Sequence, residues 1–153
     1  MIFTVEASRA FARAPEDVFA AWTDPALRAA FETPEGSGMR YEGFDTREGG
    51  TETVLIETDG AEMGRMIQEI RVLRPPSGGA PGLLVAQGRG VFGGVPGLFM
   101  QTSVEVAAED GGARLTGRSQ ICAPSGQPDR AQVEAGWEAM LDRFAAALQG
   151  ETT

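Results

Sequence analysis

The feature that most constrains the fold is a long amphipathic pattern near the C-terminus of the 153-residue chain. It follows the segment Gly126-Gln127-Pro128-Asp129. Its apolar residues, spaced by four, three, one, three and four positions, are Val133, Trp137, Met140, Leu141, Phe144 and Leu148. This spacing predicts a helix of about five turns with one continuous apolar face. Such a helix needs a wide apolar partner, and the preceding chain offers mainly strands. We therefore expect a sheet that grips one long helix.

Length and composition indicate a single globular domain. Apolar residues make up 42% of the chain and charged residues 23%, which is typical of folded proteins. A chain of this size buries about two thirds of the surface that its unfolded form exposes. The sequence shows no internal repeat and no linker. We predict one domain over residues 1–149, followed by a short tail at residues 150–153.

The absence of two residue types narrows the possible chemistry. The chain contains no histidine and no lysine, which excludes Ser-His-Asp and Cys-His nucleophiles, the usual zinc sites and Schiff-base chemistry. Acid-base work is left to Asp, Glu, Tyr41 and Cys122. We find no recognisable catalytic set, and we expect no metal and no cofactor. Because a lone cysteine forms no internal disulfide and no secretory signal is visible, we predict a cytoplasmic protein.

The charge pattern argues against two classes of partner. The net charge is −9, and the arginines are scattered singly rather than gathered on one face, so we expect no nucleic-acid partner. The uncharged stretch at residues 90–103 is short and interrupted by glycine and proline. We therefore expect no membrane span.

The periodicity of the remaining chain predicts an α+β fold. Residues 2–11 have the β-branched and aromatic content of a first strand. Residues 15–22 and 25–31 are predicted as two short helices, each with a proline in its first turn. Six further strands are predicted at residues 39–46, 51–58, 63–73, 83–88, 98–107 and 113–121. Short Gly-rich and Asp-Gly turns separate most of them, which favours an antiparallel meander.

Alternation assigns one face of the predicted sheet to the helix. The predicted inward rows are Met66, Gln68, Ile70 and Val72; Leu98, Met100, Thr102, Val104 and Val106; and Leu115, Gly117, Ser119 and Ile121. The opposite rows carry mainly charged and polar residues. Polar side chains interrupt the inward rows, which indicates either a roomy site that supplies partners for them or a misassigned face.

Three segments resemble one known family. Residues 14–25 (APEDVFAAWTDP), 44–50 (FDTREGG) and 136–144 (GWEAMLDRF) are similar to the opening helix, the Arg-x-Gly-Gly turn and the closing helix of START-like (SRPBCC) proteins. They match the branch named for the activator of the heat-shock-protein-ninety ATPase. The resemblance implies a helix-grip fold: a curved antiparallel sheet of about six to seven strands, two short helices, and a long C-terminal helix over an apolar cavity. Residues 75–97 depart most from the family pattern.

The fold and the inward polar residues together define a candidate cavity. Its predicted lining combines residues of the two short helices, the inward rows and the first half of the long helix: Trp22, Phe31, Met66, Gln68, Met100, Thr102, Ser119, Val133, Trp137 and Met140. The apolar members also suit ordinary core positions, and a misassigned face would equally explain Gln68, Thr102 and Ser119. We expect Leu141, Phe144 and Leu148 to be plain core.

Three functions remain open from the sequence. The leading hypothesis is a non-catalytic protein that binds or carries a small apolar molecule, such as a lipid. The first alternative is an enzyme of the cyclase or hydrolase kind found among START-like relatives, which requires a titratable side chain in the cavity. The second is a co-chaperone-like interaction module with a chaperone partner. The sequence leaves open whether the protein is a monomer or a dimer.

Overall fold

The computed structural model describes residues 1–151 as a curved sheet with three helices on one face. The elements in chain order are β1 Ile2–Phe11, α1 Pro15–Thr23, α2 Pro25–Glu32, β2 Met39–Gly43, β3 Thr51–Thr58, β4 Ala61–Arg74, β5 Gly82–Phe92, β6 Val95–Glu109, β7 Gly112–Cys122 and α3 Arg130–Glu151. The architecture confirms the predicted α+β helix-grip fold. Helix α3 takes in the first two residues of the predicted tail, and residues 152–153 of that tail lie outside the described part of the chain.

The seven strands form one antiparallel sheet in the order β1-β7-β6-β5-β4-β3-β2. Strands β2 to β7 follow one another as a meander, and β1 joins beside β7. Two-residue turns at Asp59-Gly60 and Asp110-Gly111 have positive φ at both residues. Such turns match the right-handed twist of paired strands, which is why Asp-Gly is a strong hairpin signal.

Each helix begins where the sequence provides a suitable start. The side chain of Asp24 accepts hydrogen bonds from the amides of Ala26 and Leu27 at 2.9 and 3.2 Å, and this caps α2. Asp129 and Gln132 exchange side-chain and backbone hydrogen bonds at the start of α3, a reciprocal capping box. Helix α3 then runs for 22 residues, which is about six turns rather than the predicted five.

The core lies between α3, the two short helices and the concave face of the sheet. Trp22, Phe31 and Phe144 form an aromatic cluster with ring centroids 4.7 to 5.1 Å apart. The Nε of Arg143 donates to the carbonyl of Phe31 at 2.7 Å and ties α3 to α2. Leu141 and Leu148 are buried with Phe144, so the prediction that this half of the helix is core is confirmed.

Strand β2 is shorter than predicted and strands β4 to β7 are longer; β2 and β5 illustrate the two opposite reasons. Strand β2 ends at Gly43 rather than at residue 46, because its pairing with β3 shifts after Tyr41 and the chain then leaves the sheet. Strand β5 continues to Phe92 through glycines that suggested a loop. A side chain at Gly90 would meet the Met66 sulfur and the Phe92 ring at 2.9 Å, so a larger residue at that inward position would require these side chains to shift.

The assignment of Val72 to the inward row is wrong. The pairing of β4 with β5 shifts between Ile70 and Val72, and beyond this bulge Leu73 pairs with Leu84. Leu73 packs against the core in place of Val72. A bulge inserts one extra residue and so reverses the alternation beyond it.

In residues 1–151, no helix combines the length and the apolar character needed to cross a membrane.

Candidate ligand-binding cavity

A cavity of about 160 Å³ lies between the sheet and the helices. Its apolar lining comes from α1, the middle of the sheet and the first half of α3: Trp22, Leu84, Ala86, Val104, Trp137 and Met140. Its polar lining consists of Arg28, Glu32, Gln68 and Thr102. An apolar cavity of about 150 Å³ is large enough to hold benzene. The space therefore suits a molecule with about one ring.

Three of the polar lining residues belong to one hydrogen-bonded group, which we call the polar cluster. It joins α2 to strands β2, β3 and β4, and its members are Arg28, Glu32, Tyr41, Thr46, Glu52 and Gln68. At its centre, Arg28 Nη1 donates to Glu52 Oε2 at 2.5 Å, with only 2% of Arg28 and 1% of Glu52 exposed. The cluster lies on the β2–β4 side of the cavity, opposite the apolar wall from β5, β6 and α3.

The remaining contacts of the polar cluster hold both carboxylates in place. Glu32 accepts hydrogen bonds from Arg28 Nε and Nη2 at 3.2 and 3.3 Å and from the hydroxyl of Tyr41. Glu52 also accepts from Thr46 Oγ1 at 2.6 Å and from Gln68 Nε2 at 2.9 Å. Buried charges are tolerated when they are paired and hydrogen-bonded in this way.

The electrostatics of the polar cluster fix its protonation at neutral pH. Burial opposes the charge on Arg28, but Glu32, Tyr41 and Glu52 outweigh this effect and raise the pKa of the guanidinium. Burial would also raise the pKa of Glu52, yet the hydrogen bond and charge of Arg28, with help from Thr46 and Gln68, lower it. Burial and the adjacent Glu32 raise the pKa of Tyr41, although Arg28 opposes them. Arg28 is therefore cationic, Glu52 anionic and Tyr41 neutral.

A hydrogen bond and close packing hold Trp137 in a fixed position in the cavity lining. Trp137 Nε1 donates to Ser119 Oγ at 2.9 Å, and Ser119 lies 3.3 Å from the hydroxyl of Thr102. The Trp137 ring lies against Gly117, where any larger residue would overlap it. It is nearly parallel to Trp22, with 9° between the ring planes and 6.2 Å between their centroids. Thr102 and Ser119, two of the polar residues predicted to face inward, thus provide hydrogen-bond partners for each other and for the Trp137 indole.

The structure brings five of the ten predicted site residues to the cavity: Trp22, Gln68, Thr102, Trp137 and Met140. Phe31 instead packs with Trp22 and Phe144. Ser119 lies behind the lining and positions Trp137. Met66, Met100 and Val133 are half-buried and pack against the core.

The sequence predictions missed Arg28, Glu32 and Glu52, although each left a signal. Arg28 and Glu32 are four residues apart, the spacing of a helical ion pair. Glu52 alternates with Val54 and Ile56 and therefore falls on an apolar row. In the sheet, Glu52 is the direct partner of Gln68. An acid on an inward row next to a predicted inward amide indicates a buried polar group.

The arrangement can bind a small molecule and can exchange a proton at one place. Its charged groups are concentrated on the β2–β4 side, whereas the wall from β5, β6 and α3 is apolar apart from the hydroxyl of Thr102. Glu32 is the titratable carboxyl group that lines the cavity. Within residues 1–151, no three Cys, Asp or Glu side chains are grouped to hold a metal ion.

A curved antiparallel sheet that grips a long helix over a cavity defines the helix-grip class of proteins. Comparison of the sequence with family models gives one match, to "Activator of Hsp90 ATPase homolog 1-like protein", over residues 12–149. The chain therefore belongs to the activator of Hsp90 ATPase homolog 1-like family, within the START-like (SRPBCC) fold.

Several solved structures of bacterial proteins share this fold. The Mll3558 protein of Rhizobium loti is 26% identical, with a TM-score of 0.80 over 95% of this chain and 96% of that one. Protein CV1439 of Chromobacterium violaceum is 25% identical, with a TM-score of 0.74 over 94% and 95%. An uncharacterised protein of Rhizobium leguminosarum, at 23% identity, shows the fold alone, with a TM-score of 0.82 over 97% and 95%. No curated protein matches the sequence.

Proposed function

We propose that this protein binds or carries a small, mainly apolar molecule in the cavity between the sheet and α3. The observation that carries the proposal is the cavity itself, which has a volume of about 160 Å³ and walls of Trp22, Trp137 and Met140. A well-packed core leaves few voids larger than a water molecule. An apolar space with a few convergent polar groups is typical of ligand sites.

The position of both tryptophans supplies a direct assay. The chain contains two tryptophans, and both line the cavity. A ligand that enters should therefore change the intrinsic fluorescence of the protein. We expect saturable quenching or a spectral shift with single-ring molecules such as toluene or benzyl alcohol. Native mass spectrometry of the freshly purified protein should also reveal a co-purified small molecule.

The same measurements can also overturn the proposed binding function. Purified protein that carries no small molecule, and whose fluorescence is unchanged by every single-ring probe, would overturn the proposed binding function. A bulky fluorescent lipid serves as a matched negative probe, because it exceeds the cavity in the absence of a large opening motion. Its saturable binding with the same fluorescence change would show that the cavity volume does not set ligand size.

One observation favours a second candidate, an enzyme of the cyclase or hydrolase kind. Such an enzyme requires a titratable side chain in the cavity, and Glu32 meets that requirement beside the cationic Arg28 and the Tyr41 hydroxyl. The guanidinium can stabilise negative charge that develops on a carbonyl oxygen. If this candidate holds, Glu32→Gln should abolish turnover of a small ester while leaving its binding within about threefold. Equal turnover by both proteins would exclude the role.

A further inference from the structure

The polar side of the cavity carries more acceptors than donors, and this imbalance indicates what a ligand must provide. Arg28 faces two carboxyl groups, Glu32 and Glu52, and both accept hydrogen bonds as carboxylates do. Tyr41 contributes no charge of its own at neutral pH. The polar cluster therefore has a net charge of about one negative unit, counted from these three ionic side chains.

Arg28 is already committed to the protein. A guanidinium has five N–H donors, and the structure shows four hydrogen bonds from Arg28, to Glu32, Glu52 and Tyr41. The guanidinium carbon also lies 5.6 and 5.5 Å from the ring centroids of Tyr41 and Phe44, so these rings cover a further part of the guanidinium. One N–H of Arg28 remains, but its charge is already paired with two carboxylates, and an incoming anion would add a third negative group beside them, so the cavity is not built for an acid.

Gln68 presents an acceptor to the cavity. Its Nε2 donates to Glu52 Oε1 at 2.9 Å, which turns the amide oxygen away from Glu52. Within residues 1–151, the structure shows no hydrogen bond to that oxygen. Every fully buried side-chain nitrogen or oxygen in these residues has a hydrogen-bond partner, so this oxygen is not fully buried. The oxygen is therefore open to space, and the side chain of Gln68 lines the cavity. It can accept a hydrogen bond from a ligand.

We infer that the ligand is a small amine, with an apolar body of about one ring and a protonated nitrogen that donates to Glu32 and Gln68. The inference rests on the proposed binding function and specifies its ligand class. Trp22 and Trp137 both line the cavity, and indole rings attract a cation more strongly than a neutral group of the same size. A protonated amine would balance the excess carboxylate of the polar cluster.

Four probes of similar shape and different polar ends test the inference: benzylamine, benzyl alcohol, toluene and benzoate. Binding to the unmodified protein is measured by tryptophan fluorescence and calorimetry at neutral pH. We expect benzylamine to bind about tenfold or more tighter than toluene, because a hydrogen bond to a charged group contributes on that scale. Benzyl alcohol should lie between them, and benzoate should bind most weakly.

Two variants distinguish the cavity from the acidic surface, which attracts any cation. Ala86→Leu fills part of the cavity and should abolish saturable benzylamine binding. Glu32→Gln should reduce the preference for benzylamine over benzyl alcohol about tenfold, whereas Glu134→Gln, a change on the exposed face of α3, should leave it unchanged.

The outcomes separate this inference from the proposed function. If benzoate, toluene or benzyl alcohol binds as tightly as benzylamine, the amine inference is overturned and the binding function stands. If none of the four probes binds, both fail. If benzylamine binds equally to the Ala86→Leu variant, its site is the surface and the inference fails. Since the ranking is measured on the unmodified protein, it holds even where a variant does not fold.

Discussion

At the scale of single residues, the ion pair of Arg28 and Glu52 is the feature on which most of the polar cluster depends. Removing one member of a buried pair leaves the other as an uncompensated charge, which typically costs about 3–5 kcal/mol. We expect Arg28→Met to lower the free energy of unfolding by this amount, measured by urea denaturation. The double variant Arg28→Met/Glu52→Gln should recover part of the loss, because it removes the stranded carboxylate.

An exposed pair provides the control for this prediction. Arg40 donates to Glu57 at 2.7 Å, but 58% of the Arg40 side chain is exposed. Arg40→Met should change the free energy of unfolding by less than about 1 kcal/mol, because solvent screens surface pairs. Equal losses for Arg28→Met and Arg40→Met would show that burial does not set the strength of the central pair.

The same residues determine how stability depends on pH. The pKa of Glu52 in the folded protein lies below its ordinary value of 4.5, so the unfolded chain takes up this proton first and stability falls as the pH drops below about 4.5. The pKa of Tyr41 is raised above its ordinary 10.0, so the unfolded chain loses this proton first and stability falls as the pH rises above about 10. Urea denaturation across this range should give a plateau between the two limits.

A single substitution tests the alkaline limit. Tyr41→Phe removes the titrating hydroxyl, so the decrease in the free energy of unfolding above pH 10 should become smaller while the acidic decrease remains. An unchanged alkaline decrease in the variant would contradict the assignment of this limit to Tyr41.

At the scale of elements, the packing of α3 on β7 depends on one glycine. Gly117 leaves room for the Trp137 ring, and a methyl group there would overlap it. We expect Gly117→Ala to lower the free energy of unfolding by about 1–3 kcal/mol and to shift the tryptophan emission, since overpacking moves the ring. Calorimetry and fluorescence spectra measure both effects.

Gly136, one residue before Trp137 on α3, is the matched control. It is exposed, and an added methyl group would meet no neighbouring atom within 4 Å. Gly136→Ala should raise the free energy of unfolding by up to about 1 kcal/mol, because alanine favours a helix. A loss of stability in both variants would contradict the argument that Gly117 is required for space rather than for backbone freedom.

At the scale of the whole molecule, the cavity and the fold should be separable. Ala86 is buried in the apolar wall of the cavity, so Ala86→Leu should fill part of the space while the sheet stays intact. We expect binding of single-ring probes to fall more than tenfold, with a free energy of unfolding that is unchanged or raised by up to about 2 kcal/mol. Fluorescence titration and urea denaturation check the two parts.

The control for this variant places the same change outside the cavity. Ala139 is exposed on α3, one position before the cavity residue Met140. Ala139→Leu should leave probe binding unchanged. Loss of binding in this variant, or retention of full binding in Ala86→Leu, would show that the probes bind elsewhere.

The fold was largely predictable from the sequence because its signals are local and repeated. The spacing from Val133 to Leu148 identified α3, alternation identified seven strands, and Asp59-Gly60 and Asp110-Gly111 marked turns that the structure contains. Predictions failed where the pairing of neighbouring strands interrupts the alternation along one strand. The bulge after Ile70 reversed the face of Val72, and a bulge leaves little trace in one strand's own sequence.

The site was only half predictable, because its polar part depends on contacts between distant segments. The sequence by itself determined that the inward face of the sheet is mainly apolar and that Trp137 of α3 faces it, since both follow from periodicity. Only the tertiary structure decided that Arg28 of α2 lies against Glu52 of β3, and that Glu32 and Gln68 share one cavity with Trp137. A buried charge is stable only beside its partner. That partner is 24 positions away along the chain, where no periodic pattern connects the two.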